Sequence, residues 1–414
     1  MSKTINLTTK IFIALILGIT TGLVLHPIKD NPFVSKYIID FVFNLLGNGF
    51  IRAIRMVVVP LVLCSLVVGS AGIEDVAKLG RIGIKTLVFY LSTTAFAVVL
   101  ALVGGNIINP GKGVNIGEIA VSKVTVSETK PFVDILLDMI PINPVEAMAT
   151  GNMLQIIVFA ILVGVALSLL GDKASNVKRI FEEGNNLSLK LVEMIMVIAP
   201  FGVYGLISKT FTTLGYAALL PLFKYFIGVV IILFIHCLVT YQGILVVFGK
   251  YNPIKFFKNF APTMMVGFST ASSSASLPSS LKAMQETFGV SKAISSFTIP
   301  LGNTINMDGT AVMQGVATIF IAQIYGIDLT MGNYITIIVT ATLASIGTAG
   351  VPGVGVIMLG MVLVQVGLPL EGIGLVMGID RFVDMFRTMI NITGDAVCTL
   401  VIAKTEGEQL KEAI

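Results

Sequence analysis

No charged residue occurs between Asp328 and Glu371, a run of 42 residues. As one α-helix it would be about 63 Å long at 1.5 Å per residue, roughly twice the hydrocarbon thickness of a bilayer. The run must turn back on itself, and the turning point is marked. The stretch Gly347 to Gly355 packs four glycines and a proline into nine residues, leaving arms of about 15–18 residues that are short for a crossing. A re-entrant helical hairpin accounts for both lengths. A similar break lies between Ser269 and Pro278, where five serines, small partners and the proline interrupt another apolar stretch.

Composition sets the surroundings of these hairpins. The 414 residues are 55 % hydrophobic and 12 % charged, against about 25 % charged in soluble domains. Apolar runs of spanning length recur from Ile11 to Ile402, so the chain is expected to be a polytopic membrane protein. Stretches such as Ile156 to Leu170 are apolar on every side, which excludes the period-two pattern of a transmembrane barrel. The class is therefore all-α.

Cys64, Cys237 and Cys398 are scattered without metal spacing, and His26 and His236 belong to no hydrolase or zinc motif. The net charge of +4 sits in short loops rather than in a basic patch, so it reads as topology and not as nucleic-acid binding. Apolar segments fall near 11–26, 38–69, 80–107, 131–170, 184–211 and 217–248, followed by a more broken half from 253 to 403. The first follows Lys3 and Lys10 without a cleavage site and is expected to remain as a span. Lys and Arg recur at every second boundary: Lys78, Arg81 and Lys85, then Lys173, Lys178 and Arg179, then Lys250, Lys255 and Lys258, then Lys404 and Lys411. That alternation places both termini in the cytoplasm.

Each hairpin precedes a long segment, 290–325 and 372–403, giving hairpin plus helix twice, an inverted repeat. Irregular backbone at membrane depth is tolerated where it lines a polar cavity, so two tips point to a binding site. In the last segment Asp380, Asp384, Arg387, Thr388, Asn391 and Asp395 fall at offsets 0, 4, 7, 8, 11 and 15. At about 100° per residue all six share an arc of about 100°, with Phe382, Met389 and Val397 on the opposite, lipid-facing or packing face. Ionisable groups at such depth mark a functional site. The preceding segment carries Asn306, Met307, Asp308, Gly309 and Thr310. There Gly309 is expected to let the helix unwind, exposing hard-oxygen donors suited to Na⁺ or another hard cation.

The run Ser269 to Pro278, the run Thr304 to Thr310, the tip Ser345 to Gly353 and the run Asp380 to Thr388 with Asn391 and Asp395 together resemble the signature of the dicarboxylate/amino acid:cation symporters, the glutamate transporter family. The resemblance spans essentially the whole chain. It implies eight spans, two hairpins, a homotrimer in the plasma (inner) membrane, and a transport domain that slides like an elevator in a rigid scaffold. The scaffold would comprise 1–76 and 110–216, and the transport domain 77–109 and 217–414, with hairpins near 253–287 and 329–368.

By motif position, the resemblance gives Arg387 the substrate's side-chain carboxylate and Asp384 its α-ammonium. It adds Ser273, Ser274, Thr310, Val351, Gly355, Thr388 and Asn391 as further substrate contacts, with Asp380 and Arg381 in support. One Na⁺ site would be Gly302, Asn306, Asn391 and Asp395. A second would be Thr304, Met307, Ser345, Ile346 and Thr348, largely through carbonyls, and a third Tyr90, Thr93, Thr94, Asn306 and Asp308. No organic cofactor is implied.

Asp384 would repel a C4-dicarboxylate, and a neutral amino acid would leave Arg387 without a carboxylate, so L-aspartate or L-glutamate is the expected substrate. Two departures bear on this. Archaeal relatives carry an arginine where this chain has Ala271, and Arg381 is expected to supply that guanidinium. Proton-coupled members carry a glutamate where this chain has Gln314, which favours Na⁺ coupling without that proton carrier. The alternatives are a proton-coupled glutamate or C4-dicarboxylate symporter, and, in other classes, an ion channel or an intramembrane enzyme.

Overall fold

The computed structural model describes residues 7–71, 80–112, 137, 140–346 and 353–411, and every regular element among them is helical. Helix α1 is Leu7–Leu25, and π-type turns over Val34–Phe43 lead directly into α2, Asn44–Ala71. Helix α3 is Arg81–Ile108, followed by α4, Pro144–Thr150, α5, Met153–Leu170, and α6, Ser175–Leu214. Helix α7, Leu219–Ile235, runs on through π-type turns at His236–Tyr241 and Leu245–Gly249. Then come α8, Pro253–Thr270, α9, Ser273–Lys282, α10, Lys292–Ile305, and α11, Asp308–Ile324. The chain closes with α12, Met331–Ser345, α13, Val354–Gln365, and α14, Ile373–Thr405.

Short polar side chains start these helices. Asn143, Asn152, Asn252, Ser272 and Ser291 each accept a hydrogen bond from a first-turn amide, and Thr330 and Asn333 form a reciprocal capping box at α12. Five helical stretches among the described residues are long and apolar enough to span a bilayer: Thr9–Ile28, Arg81–Ile108, Gln155–Val192, Leu219–Gly249 and Leu370–Thr405. The protein is an integral membrane protein. Helices α12 and α13 are apolar but shorter.

Helix α6 packs along α1 and α2, and α5 along α2. Helix α3 lies along α11 and α12, while α14 is surrounded by α7, α8, α10 and α11. The two groups meet where Gly374 and Gly378 of α14 abut Leu206 and Ile207 of α6.

Several boundaries differ from those read in the sequence. The charged stretch from Lys178 onward belongs to α6, which begins at Ser175; its first turns are exposed and carry an Arg179–Glu183 pair at 2.8 Å, so charge there marks a solvated helix end rather than a loop. Pro278 does not interrupt a helix. The break lies at Ala271, whose φ is +48°, and Ser272, and the proline sits inside α9. Gly309 likewise lies within α11, and the unwound residues are Asn306 and Met307. The far face of α14 is a packing face, since Met389 and Val397 are buried and only Phe382 is exposed.

Candidate functional site

Helix α14 carries the six polar residues of the stripe, and all six are buried. Arg387, 1 % exposed, is the centre of the charged group. Its Nη2 donates to Asp384 Oδ1 at 2.5 Å, and its Nη1 lies 3.1 Å from Asp380 Oδ1 without hydrogen-bond alignment. Arg381 Nη1 stands 3.5 Å from Asp384 Oδ2. Arg381 therefore adds its charge to the same group. Among the described residues, Arg387 Nε and Nη1 donate no hydrogen bond, so the guanidinium keeps donor capacity while sealed from water.

Gly355, in the first turn of α13, is what allows that helix to approach this group. A Cβ there would lie 2.7 Å from Arg387 Nη1 and 3.0 Å from its Cζ. Val351 and Thr348 lie outside the described residues. After the break between α8 and α9, Ser273 is buried at the start of α9, and exposed Ser274 shares hydrogen bonds with Asn303 at 3.2–3.4 Å.

Asn391 ties α14 to the break between α10 and α11. Its Oδ1 accepts from the Gly309 amide at 2.7 Å, its Nδ2 reaches Met307 Sδ at 3.3 Å, and its carbonyl accepts from Asn306 Nδ2 at 2.9 Å. The role of Gly309 is close approach, because a Cβ there would lie 2.6 Å from the Arg387 carbonyl oxygen. Asn306 Nδ2 also donates to Asp395 Oδ1 at 2.8 Å, while its Oδ1 is buried without a hydrogen bond among the described residues. Gly302 faces Asp395 and the Tyr90 hydroxyl, so Gly302, Asn306, Asn391 and Asp395 converge. Thr310 and Thr388 are buried beside them, with the Thr310 hydroxyl turned to Met307 Sδ at 3.9 Å.

Asp308 is fully buried and accepts from the Thr94 hydroxyl at 2.5 Å, the Tyr241 hydroxyl at 2.8 Å and His236 Nε2 at 3.0 Å. Thr94 Oγ1 also lies 2.8 Å from the Tyr90 carbonyl, and Thr93 Oγ1 3.1 Å from the same oxygen. One hydroxyl hydrogen serves one acceptor, so at least one close oxygen pair here lacks a proton between its members. Such an all-oxygen cluster beside a carboxylate is suited to a hard cation. Among the described residues, no three His, Cys, Asp or Glu side chains converge as a transition-metal site would require. The remaining set is looser: the exposed Thr304 hydroxyl donates to Leu301 and the Ser345 hydroxyl to Thr342, with Met307 and Ile346 at their helix ends.

His236 and Tyr241 were not among the residues read as functional. They are five apart, which in an ordinary α-helix puts them on different faces, but the π-type turn bonds i to i+5 and brings both onto Asp308. The available signal was a histidine inside an otherwise apolar segment.

The sodium:dicarboxylate symporter family model matches residues 7–405. This chain belongs to that family. It is accordingly a transporter and not an enzyme. Among its relatives, a proton/sodium-glutamate symport protein of Bacillus caldotenax is 36 % identical, covering 99 % of this chain and 97 % of that protein. A proton/glutamate-aspartate symporter of Escherichia coli (strain K12) is 35 % identical, with 97 % and 93 % covered. A C4-dicarboxylate transport protein of Bacillus subtilis (strain 168) is 34 % identical, with 97 % and 94 % covered. The sodium:dicarboxylate symporters thus include members named for different substrates and different coupling ions.

Proposed function

We propose that this symporter takes up L-aspartate or L-glutamate together with Na⁺. The observation that carries the reading is the pairing, in one buried group, of Arg387 with Asp384, which among the described residues keep unused donors and an oxygen free of hydrogen bonds respectively. A guanidinium holds a carboxylate bidentately, and a carboxylate holds an ammonium; an acidic amino acid brings both partners at once. A C4-dicarboxylate brings a second negative end to Asp384, and a neutral amino acid brings nothing to Arg387. Gln314, buried in α11, cannot carry a proton, which supports Na⁺ as the coupling ion.

The cation sites are Gly302, Asn306, Asn391 and Asp395 at one position, Tyr90, Thr93, Thr94, Asn306 and Asp308 at another, and Thr304, Met307, Ser345, Ile346 and Thr348 at a third. Substrate lies between the hairpins, against Ser273, Ser274, Thr310, Val351, Gly355, Thr388 and Asn391. Each cargo ion neutralises a charge that would otherwise cross the membrane uncompensated. The fully loaded domain therefore moves more readily than a half-loaded one. In this reading α3 and α7 to α14 are the moving domain of an eight-span, two-hairpin homotrimer, and α1, α2, α5 and α6 belong to the scaffold.

The test is uptake of labelled L-aspartate by the purified chain in proteoliposomes. An inward Na⁺ gradient at equal pH should drive accumulation, with L-glutamate competing and succinate failing to compete. Accumulation driven by a pH gradient without Na⁺, or displacement of aspartate by succinate, would overturn the assignment.

A further inference from the structure

Asp308 and Asp395 are both buried and lie in each other's field, and among the described residues neither pairs with a lysine or arginine. The base in contact with either is His236, whose Nε2 is 3.0 Å from Asp308 Oδ2 with both side chains fully buried. Its ring packs edge-on against Tyr241 at 4.6 Å between centroids, so the two donors approach Oδ2 as a fixed pair. A carboxylate accepts but does not donate, so the bond places the imidazole proton on Nε2. The other nitrogen, Nδ1, is buried without a hydrogen bond among the described residues. An apolar residue would fill this space without leaving a polar atom unpaired. The imidazole is therefore useful for the one donor that it places on Asp308.

The terminal torsion of an aspartate is soft and roughly two-fold. Two donors on Oδ2 fix the carboxylate plane and leave Oδ1 beside Thr94 Oγ1, which itself borders Tyr90 O and, through it, Thr93. We propose that His236 is a positioning residue for the cation held at Asp308: with Tyr241 it anchors Oδ2, so that Oδ1 is presented to the Thr93, Thr94 and Tyr90 oxygens. Na⁺ affinity then depends on a side chain that does not touch the ion. The proposal rests on the Na⁺-coupled reading above.

The experiment is a Na⁺ titration of L-aspartate uptake by the full chain in proteoliposomes, for the parent, His236→Leu, His236→Asn and His236→Gln. Leucine removes the donor, asparagine keeps polarity but is too short to reach Asp308, and the glutamine amide extends about as far as Nε2. His236→Leu and His236→Asn should each raise the half-saturating Na⁺ concentration about tenfold, the scale of one charge-assisted hydrogen bond. The KM for aspartate at saturating Na⁺ should stay within about twofold of the parent, and His236→Gln should restore Na⁺ affinity to within about threefold. A merely structural histidine predicts less folded protein with unmoved Na⁺ half-saturation. Unchanged half-saturation in the asparagine and leucine variants, or a glutamine variant as impaired as they are, would overturn the proposal. A parent without any Na⁺ dependence would instead overturn the Na⁺-coupled reading itself.

Discussion

At the scale of single residues, the charged group on α14 makes a sharp claim about selectivity. Arg387 is held by Asp384 and Asp380 inside a site closed to water, so removing it takes away the substrate's carboxylate clamp and leaves two buried carboxylates with Arg381 as the remaining nearby cation. Breaking a buried pair from one side costs several kcal/mol. Arg387→Thr should lower L-aspartate uptake at least about 100-fold while admitting serine, which has no side-chain carboxylate. Undiminished aspartate affinity in that variant, measured by calorimetry in Na⁺, would remove Arg387 from the substrate site. This group was legible beforehand because Asp380, Asp384, Arg387, Thr388, Asn391 and Asp395 obey the period of an ordinary α-helix. The Asp308 environment was legible only by half. Thr93, Thr94 and Tyr90 were expected there through family resemblance, whereas His236 and Tyr241 meet Asp308 through a π-type turn that a search at the α-helical period does not detect.

At the scale of elements, the breaks before α9 and α11 fall within the stretches read in the sequence, but not at the residues read as making them. Proline and glycine were read as the points of interruption, yet Pro278 and Gly309 lie inside α9 and α11. A membrane helix keeps a proline where its surroundings satisfy the freed carbonyl. Gly309 serves a contact with α14 that sequence spacing does not encode. The ends of two distant helices are joined just as unpredictably: Glu406, following α14, accepts from Arg81 Nη2 and from Lys85 Nζ of α3, each at 2.6 Å. Hydrogen bonds from Arg81 and Lys85 hold the Glu406 carboxyl below its ordinary value of 4.5. A carboxylate with a depressed folded-state pKa stabilises above its unfolded value and loses that contribution as pH falls through the folded value. Because Arg81 is largely exposed, the effect is small and screened by salt. Glu406→Gln should lower the detergent-solubilised Tm by about 1 °C near neutral pH. The difference should shrink in concentrated choline chloride and disappear below the carboxylate range. A difference that persists in acid would show that the glutamine acts through packing and not through charge.

At the scale of the molecule, hydropathy gave the membrane class and most of the helices, while the grouping of helices into two sets is a product of packing that no single segment announces. Helix α14 is the clearest case: its stripe looked two-sided, but both faces are buried because α7, α8, α10 and α11 surround it. The elevator reading requires that the set containing α14 slide past the set containing α6, and the contact between them offers a direct test. A Cβ at Gly374 would lie 3.0 Å from Leu206 Cβ across that boundary, and one at Gly18 would lie 3.1 Å from Ile207 Cβ within the α1–α6 pair. Both spacings are near those a disulfide accepts with slight backbone adjustment. In a chain whose Cys64, Cys237 and Cys398 are replaced by alanine, Gly374→Cys with Leu206→Cys should, once oxidised, stop L-aspartate uptake and recover it on reduction. Gly18→Cys with Ile207→Cys should cross-link equally well yet keep transporting, since both residues lie in the proposed scaffold. If the oxidised Gly374–Leu206 pair transports at the reduced rate, the two helix sets do not slide past each other, and substrate must cross by local movements of the hairpins alone.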